Sequence, residues 1–204
     1  MQKLDLRKEL KYLYEPSAKE PVIVDVPRMR FLAIDGVGGV GEGAFQDAIG
    51  ALFSLGYPVR FGAKKQLEIE YPVMPLEGLY WDVERGFEIS LADATQLAWR
   101  LMMMVPFVVP SEFIEATRAE VATKKDPPRL SEVRIEDYAE GTSVQVMHIG
   151  PYDQETPTIE RMLTFAAEQG YRVAGKHHEI YIGDPNRSAP EKLRTVVRYP
   201  VTRG

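Results

Sequence analysis

The alternation of apolar and polar residues predicts two copies of one strand–turn–helix unit. Residues 30–57 correspond to residues 144–171, with a glycine-marked turn after the strand in each copy. The following helices carry apolar residues at the i, i+3, i+4, i+7 spacing of a single buried face. These positions are Phe45, Ala48, Ile49 and Leu52 in the first copy and Ile159, Met162, Leu163 and Ala166 in the second. We expect Gly56 and Gly170 to end the two helices.

Shorter apolar runs predict the remaining strands. They lie at residues 67–74, 78–83 and 98–105 in the first half and at 132–136, 143–148, 178–183 and 192–199 in the second. A further helix is predicted from Ser111, as its cap, to about Lys124, and a short one at residues 6–14. The order β-α-β-β, helical connection, β-α-β-β lacks the alternation of a doubly wound parallel sheet. We therefore predict an α+β fold with mostly antiparallel sheets and helices packed on one side.

The two units are too incomplete to fold separately, so we predict a single domain over residues 1–204. Its N-terminal arm covers residues 1–27, repeat one about 28–126 and repeat two about 130–204. A duplicated domain has a pseudo-two-fold axis, and the seam between its halves is a natural place for a ligand groove.

Composition removes several classes of function. The net charge of −5 argues against a nucleic-acid-binding surface. The absence of cysteine excludes disulfides, thiol nucleophiles and thiolate metal sites. Three histidines, at 148, 177 and 178, are too few and too badly spaced for a zinc site, so we expect no metal and no cofactor. No apolar run reaches the roughly 20 residues of a membrane span, and no signal peptide is visible, which predicts a cytoplasmic protein without a membrane partner.

Two sequence patterns resemble known catalytic motifs but lack their defining residues. The glycine-rich run at residues 36–43 is not followed by the Gly-Lys-Ser/Thr of a phosphate-binding loop, so we interpret it as a flexible strand-to-helix connection. No serine lies in a Gly-x-Ser-x-Gly elbow, and acyl transfer through serine is therefore unsupported.

A carboxylate in the middle of a predicted strand is the first candidate for chemistry. Strand alternation puts Ile180 and Ile182 on one face and Glu179 and Tyr181 on the other. The isoleucines suit the helix-covered face, so we expect Glu179 and Tyr181 on the opposite, concave face. A carboxylate buried there without a partner is costly and makes a candidate general base. A glutamate on an open sheet face, in a cross-strand pair, is the equally weighted alternative.

Aromatic residues are dense near the same strands, at Tyr71, Tyr80, Trp81, Trp99, Tyr152 and Tyr181. Aligning the matching strands of the two halves sets Gly78 against Glu179 and Tyr80 against Tyr181, which would bring Tyr80 into the same groove. An aromatic-walled groove with one carboxylate suits a flat, apolar or cationic small molecule. Met102 and His148 complete the candidate ligand-binding set, although core packing is the favoured alternative for Trp99 and a structural role for His148.

Several longer motifs carry a family resemblance. Residues 148–152 (HIGPY), 175–181 (GKHHEIY), 184–187 (DPNR) and 71–81 (YPVMPLEGLYW) resemble GyrI-like small-molecule-binding proteins of the SOUL/GyrI superfamily. The resemblance implies two βαββ units forming a curved antiparallel sheet or distorted barrel, with helices outside and a central ligand groove. It also implies that Glu179 is the acidic residue facing the ligand.

The standalone branch that the chain most resembles includes cyclopropanoid hydrolases. That resemblance implies that Glu179 activates a water, that Tyr152 or Tyr181 donates a proton, and that Tyr80, Trp81 and Trp99 hold flat rings. Tyr80 stands where the branch has the first tryptophan of a Leu-Trp-Trp pattern. Drug binding or sensing without turnover is the alternative, and inhibition of DNA gyrase is a third. Neither the natural ligand nor the oligomeric state follows from these motifs.

Overall fold

A closed antiparallel sheet is the centre of the structure, a computed structural model that describes residues 1–87, 96–183 and 188–204. The strands are β1 Gln2–Lys3, β2 Val22–Val37, β3 Ile69–Glu70, β4 Leu76–Asp82, β5 Leu97–Met104, β6 Arg134–Ile149, β7 Tyr171–Val173, β8 His177–Tyr181 and β9 Arg194–Arg203. The helices are α1 Leu6–Glu9, α2 Lys11–Tyr14, α3 Gly43–Gln66, α4 Ser111–Lys124 and α5 Thr156–Glu168.

Six strands close the sheet in the order β6-β2-β5-β4-β8-β9, and β9 pairs back with β6. Every pairing in this ring is antiparallel. The first unit contributes β2-α3-β4-β5 and the second contributes β6-α5-β8-β9. The predicted α+β fold, a distorted barrel built from duplicated βαββ units, is confirmed. Among the described helices, none is long and apolar enough to cross a membrane.

The long helices cover the outside of this barrel. α3 lies over β2 and β5, and α4 packs against α3. α5 covers β6 and β9 through a separate apolar cluster that includes Met162, Val144 and Val197. The outer face of the sheet is therefore divided between two helices, one from each unit.

Gly56 does not end α3, contrary to the prediction. The helix continues through Pro58 to Gln66. A Cβ at Gly56 would collide with the Met103 sulfur on β5, so this glycine lets the helix approach the sheet closely. Gly170, with a φ of +75°, does follow the end of α5 as predicted.

Other element boundaries also differ from the predicted ones. The two strands expected at residues 132–136 and 143–148 are one strand, β6, in which Gly141 has a positive φ of +74°. The strand expected at residues 67–74 is reduced to β3. Pro110 occupies the N-cap position of α4, so Ser111 is the first helical residue rather than the cap. Glu155 occupies the N-cap position of α5. Residues 88–95 and the motif at 184–187 lie outside the described residues.

The inner face of the barrel contains a buried polar network. His178 contacts Glu77 with Nε2 at 3.1 Å and Glu140 with Nδ1 at 3.0 Å. Arg198 donates to Glu140 at 3.0 Å and to the Leu13 carbonyl at 2.9 Å. Because α2 supplies Leu13 and also Tyr14, which donates to Glu77 at 2.7 Å, the network attaches the N-terminal arm to the barrel.

Paired charges set the protonation of this network. Burial alone would lower the pKa of His178, but the Glu140 and Glu77 carboxylates raise it to about 9. Burial alone would raise the pKa of Glu140, but His178 and Arg198 lower it to about 2. The inner face thus holds carboxylates whose charges are matched by adjacent cations.

We expect the free energy of unfolding to decrease as pH rises from about 6.5 to about 9. The native state holds a proton on His178 that the unfolded chain, with an ordinary histidine pKa of 6.5, releases. The contribution of this proton is fully present below pH 6.5, and its loss by pH 9 is on the order of 3 kcal/mol. Urea unfolding at several pH values should show a flatter profile for His178→Gln than for the wild type. Parallel profiles would contradict a protonated His178.

Candidate functional site

A large cavity opens on the outer face of the sheet, beside α3. It has a volume of about 980 Å³. Aromatic and aliphatic side chains of α3 form one wall, namely Phe45, Ile49, Phe53 and Tyr57. Residues 73–76 form a second wall, and Tyr80, Glu179 and Tyr181 reach the cavity from β4 and β8. An apolar cavity with few polar groups is the usual form of a small-molecule site.

The register of β4 and β8 decides which side chains reach this cavity. Tyr80 is the cross-strand partner of His177, and Gly78 is the partner of Glu179. Tyr80 also pairs with Trp99 on β5, on the face that α3 covers. Glu179 and Tyr181, two and four residues beyond His177, therefore lie on the helix-covered face.

The expectation that the isoleucines face the helices is wrong for Ile180. Ile180 is fully buried on the inner face, where its cross-strand partner is Glu77. A closed sheet has an apolar interior of its own, so an apolar alternation does not reveal which face the helices cover. Ile182 lies past the end of β8 and lines the cavity.

Glu179 presents its carboxylate to the cavity. Its Oε1 lies 2.9 Å from Nε2 of His177, which is itself buried. The Glu179 side chain keeps 15% of its surface exposed, and this exposed part faces the cavity. A carboxylate in this position can accept a hydrogen bond from a ligand or from a water molecule.

Two tyrosine hydroxyls lie beside Glu179. The Tyr80 and Tyr181 hydroxyls hydrogen-bond to each other. Burial, followed by the charge of Glu179, raises the pKa of both phenols well above the ordinary value, so both stay protonated as hydrogen-bond donors. The Tyr152 ring packs edge-on against Tyr181, with centroids 5.5 Å apart, and is 38% exposed.

Gly78 makes room for the hydroxyl pair. A Cβ at this position would lie 2.6 Å from the Tyr80 hydroxyl oxygen and 2.8 Å from the carbon that bears it. The Tyr80 ring therefore lies back over Gly78 and points its hydroxyl at Tyr181. Gly78, which lies opposite Glu179, has no side chain, and the Tyr80 ring occupies the space that one would fill.

Glu155 is a functional candidate that the sequence did not reveal. It precedes α5 and is only 4% exposed, and its Oε1 has no hydrogen-bond partner among the described residues. Burial and the charge of Glu179 raise its pKa to about 9. A glutamate before Thr-Pro is expected at a solvated helix start, so the local pattern held no sign of burial.

Glu155, His177 and Glu179 form one cluster, in which carboxylate and imidazole atoms lie within 4.8 Å of one another. Ligand atoms bound to one zinc ion, at about 2.0–2.2 Å each, are at most about 4.4 Å apart. The limit of 4.8 Å slightly exceeds that span, and within the cluster His177 and Glu179 are hydrogen-bonded to each other.

The other predicted ligand-binding residues lie away from the cavity. Trp99 is fully buried behind its wall, with its ring edge-on to Phe45 at 5.1 Å. Met102 and Trp81 lie on the inner face, since their neighbours along each strand point towards α3. The Lys176 ammonium lies 3.3 Å from the centroid of the Trp81 ring.

Two more predicted residues have structural contacts. Tyr71 is buried, and its carbonyl accepts a hydrogen bond from Arg60. His148 contacts the Thr158 hydroxyl at 3.0 Å and the Pro151 carbonyl at 3.1 Å, across the turn before α5. Of the predicted set, the cavity brings together Glu179, Tyr181, Tyr152 and Tyr80.

Comparison with known proteins agrees with this geometry. The model of the GyrI-like small molecule binding domain matches residues 19–202. This chain belongs to the GyrI-like family. As a GyrI-like protein it is a small-molecule-binding domain, and the cavity beside α3 has the composition of such a site. Among curated proteins, none matches the chain significantly.

Solved structures with a similar fold cover most of the chain. A conserved protein from Listeria innocua is 32% identical, with a TM-score of 0.89 over 98% of this chain and 100% of that one. A hydrolase from Listeria innocua is 31% identical, with a TM-score of 0.84 and the same coverage. The EcmrR C-terminal domain, at 13% identity and a TM-score of 0.53 over 91% of this chain and 98% of that one, shares the fold.

We expect Gly78→Ala to destabilise the protein and to weaken ligand binding. The added Cβ must displace the buried Tyr80 ring, which is an overpacking change that typically costs about 1–3 kcal/mol. Gly50→Ala is the matched control, because its Cβ meets no atom within 4 Å in the middle of α3, and alanine there should add about 0.5–1 kcal/mol. Urea unfolding measures the change in stability for both variants. Equal effects of Gly78→Ala and Gly50→Ala would contradict the packing of Tyr80 over Gly78.

Proposed function

We propose that the groove binds flat, mainly apolar molecules and hydrolyses those that carry a strained cyclopropane ring. The observation that carries this proposal is the Glu179 carboxylate, which faces an aromatic-walled cavity beside buried tyrosine hydroxyls. The similarity to a hydrolase from Listeria innocua over 98% of this chain supports an enzymatic role. The cyclopropanoid class comes from the sequence resemblance.

The proposed reaction adds one water to a cyclopropane ring conjugated to a dienone. The water oxygen bonds to the ring methylene as the ring C–C bond breaks, and the bonding electrons move to the carbonyl oxygen. Glu179 accepts the proton that the water loses, and a tyrosine donates a proton to the new phenolate oxygen. Return of the proton from Glu179 to the tyrosine restores the site, so the net change is addition of water.

Tyr181 and Tyr152 are the two candidate proton donors. Tyr181 is close to Glu179, and its hydroxyl already contacts Tyr80. Tyr152 lines the same cavity and is 38% exposed. The donor and the base must act at opposite ends of the dienone ring, which favours Tyr152 as donor when Glu179 holds the water.

Binding without turnover is the second candidate function. The apolar α3 wall offers affinity for a flat molecule without any chemistry. The family match is to a small-molecule-binding domain, and sequestration of a ligand needs no activated water. In this case Glu179 would serve only to bind a donor or cationic group.

Glu179→Gln is expected to abolish turnover while keeping ligand binding. The amide preserves shape and a hydrogen-bonding oxygen but cannot take a proton from water, and loss of a general base typically lowers kcat by about 10²–10⁴-fold. Mass spectrometry of a spirocyclopropyl dienone incubated with each variant would detect the hydrated, ring-opened product.

The matched control is Glu112→Gln, which changes an exposed glutamate of α4 and should leave turnover unchanged. Stoichiometric binding of the dienone by the wild type, with no hydrated product, would contradict hydrolysis and support sequestration. Tyr152→Phe and Tyr181→Phe then separate the two donors, because only the true donor should lower kcat without raising the dissociation constant.

A further inference from the structure

The buried Glu155 carboxyl group lies close to the carboxyl group of Glu179, which lines the cavity. They come from different elements, since Glu155 precedes α5 and Glu179 lies in the middle of β8. Their carboxyl groups belong to one cluster with the His177 ring, whose atoms lie within 4.8 Å of one another. Glu155 is 4% exposed, so water screens the repulsion between the two groups poorly.

Among the described residues, positive charge near this pair is sparse, and Arg7 is the one lysine or arginine that lines the cavity. Across residues 1–87, 96–183 and 188–204, no lysine or arginine forms an ion pair with either carboxylate. Glu179 has the His177 contact, whereas Glu155 Oε1 has no hydrogen-bond partner among these residues. The groups facing the pair come from β4, β8, β9 and the turn before α5, and they are Tyr80, His177, Tyr181, Thr195, Tyr199 and Tyr152. The Thr195 hydroxyl lowers the pKa of Glu155, but burial and the charge of Glu179 outweigh it.

We propose that Glu155 is a second acid of the groove and shares a single proton with Glu179, so that the pair carries one negative charge at neutral pH. Two like charges this close and this buried do not both ionise without a cation between them. The proton resides mainly on Glu155, because Glu155 is more deeply buried than Glu179, and because Glu179 has the His177 contact whereas Glu155 Oε1 has no hydrogen-bond partner among the described residues. Burial in the first place, and then the charge of Glu179, raises the pKa of Glu155 to about 9.

This inference rests on the proposed function only in taking the groove as the ligand site. It identifies Glu179 as the carboxylate that accepts a proton. Glu155 is a positioning residue that stays neutral, so that Glu179 has no second negative charge beside it. It also defines the class of ligand that the groove accepts: a molecule with one cationic or hydrogen-bond-donating group, or with a water in that place, and not a dication. In Glu179→Gln the repulsion disappears, so the pKa of Glu155 falls, although burial still keeps it above the ordinary value.

The test follows unfolding as a function of pH and needs no ligand. In the native state Glu155 keeps its proton up to about pH 9, whereas the unfolded chain releases it near 4.5. Its contribution to stability is therefore fully present below pH 4.5 and is lost as pH rises to about 9. Between these limits, the ratio of the unfolding constant of the wild type to that of Glu155→Gln should rise about tenfold per pH unit.

Two further variants make the result specific. The ratio of the unfolding constant of Glu179→Gln to that of Glu155→Gln should stop rising at a lower pH than the wild-type ratio does, since Glu155 no longer has a charged neighbour. Glu112→Gln on the surface of α4 should follow the wild type throughout. The titration of His178 occurs in all of these proteins and cancels in the ratios. A ratio for Glu155→Gln that does not change with pH would overturn the proposal.

Infrared spectroscopy of the unaltered protein covers the case in which Glu155→Gln does not fold. Protein labelled with ¹³C at the glutamate carboxyl groups should show a protonated-carboxyl band at pH 7 that disappears as pH passes about 9. Absence of this band at pH 7 would overturn the shared proton. Loss of turnover in Glu179→Gln together with a flat pH ratio would leave the hydrolase proposal standing and this inference refuted.

Discussion

The pairing of β4 with β8 is the contact on which the site depends. It joins the two repeated units across the pseudo-two-fold axis and sets Gly78 directly opposite Glu179. Because side chains alternate along a strand, a shift of one residue in this register would turn Glu179 into the barrel and bring His178 to the groove. The same pairing places Tyr80 near Tyr181, so the acid and the hydroxyl pair are positioned by backbone hydrogen bonds rather than by loops.

Buried carboxyl groups have opposite electrostatic surroundings on the two faces of β8. On the inner face, His178 lies between Glu77 and Glu140, and Arg198 completes the neutralisation of Glu140. The pKa of Glu140 is accordingly lowered to about 2. On the outer face, Glu155 has a like charge as its neighbour, and its pKa is raised to about 9. The inner network attaches the arm to the barrel, whereas the outer face retains reactive groups at a cavity.

Part of the site was predictable from strand alternation. Alternation placed Glu179 and Tyr181 on one face, and the alignment of the two halves added Tyr80, which the structure brings into the same cavity. Alternation could not say which face of a closed sheet the helices cover, because side chains on both faces are buried. Aromatic density was a poor guide for Trp81, since its neighbour Tyr80 takes the outward position and leaves it facing inward.

The sequence by itself determined the duplication, the α+β class and the helix faces, because periodicity of 2 or 3.6 residues records which side of each element is buried. It also pointed to the family through motifs of several consecutive residues. Only the tertiary structure decided that Glu155 and Glu179 meet, since one precedes a helix and the other lies on a strand of a different part of the sheet. Closure of the sheet brings these two segments together. A local sequence pattern holds no information about the distance between two side chains that become neighbours only through long-range strand pairing.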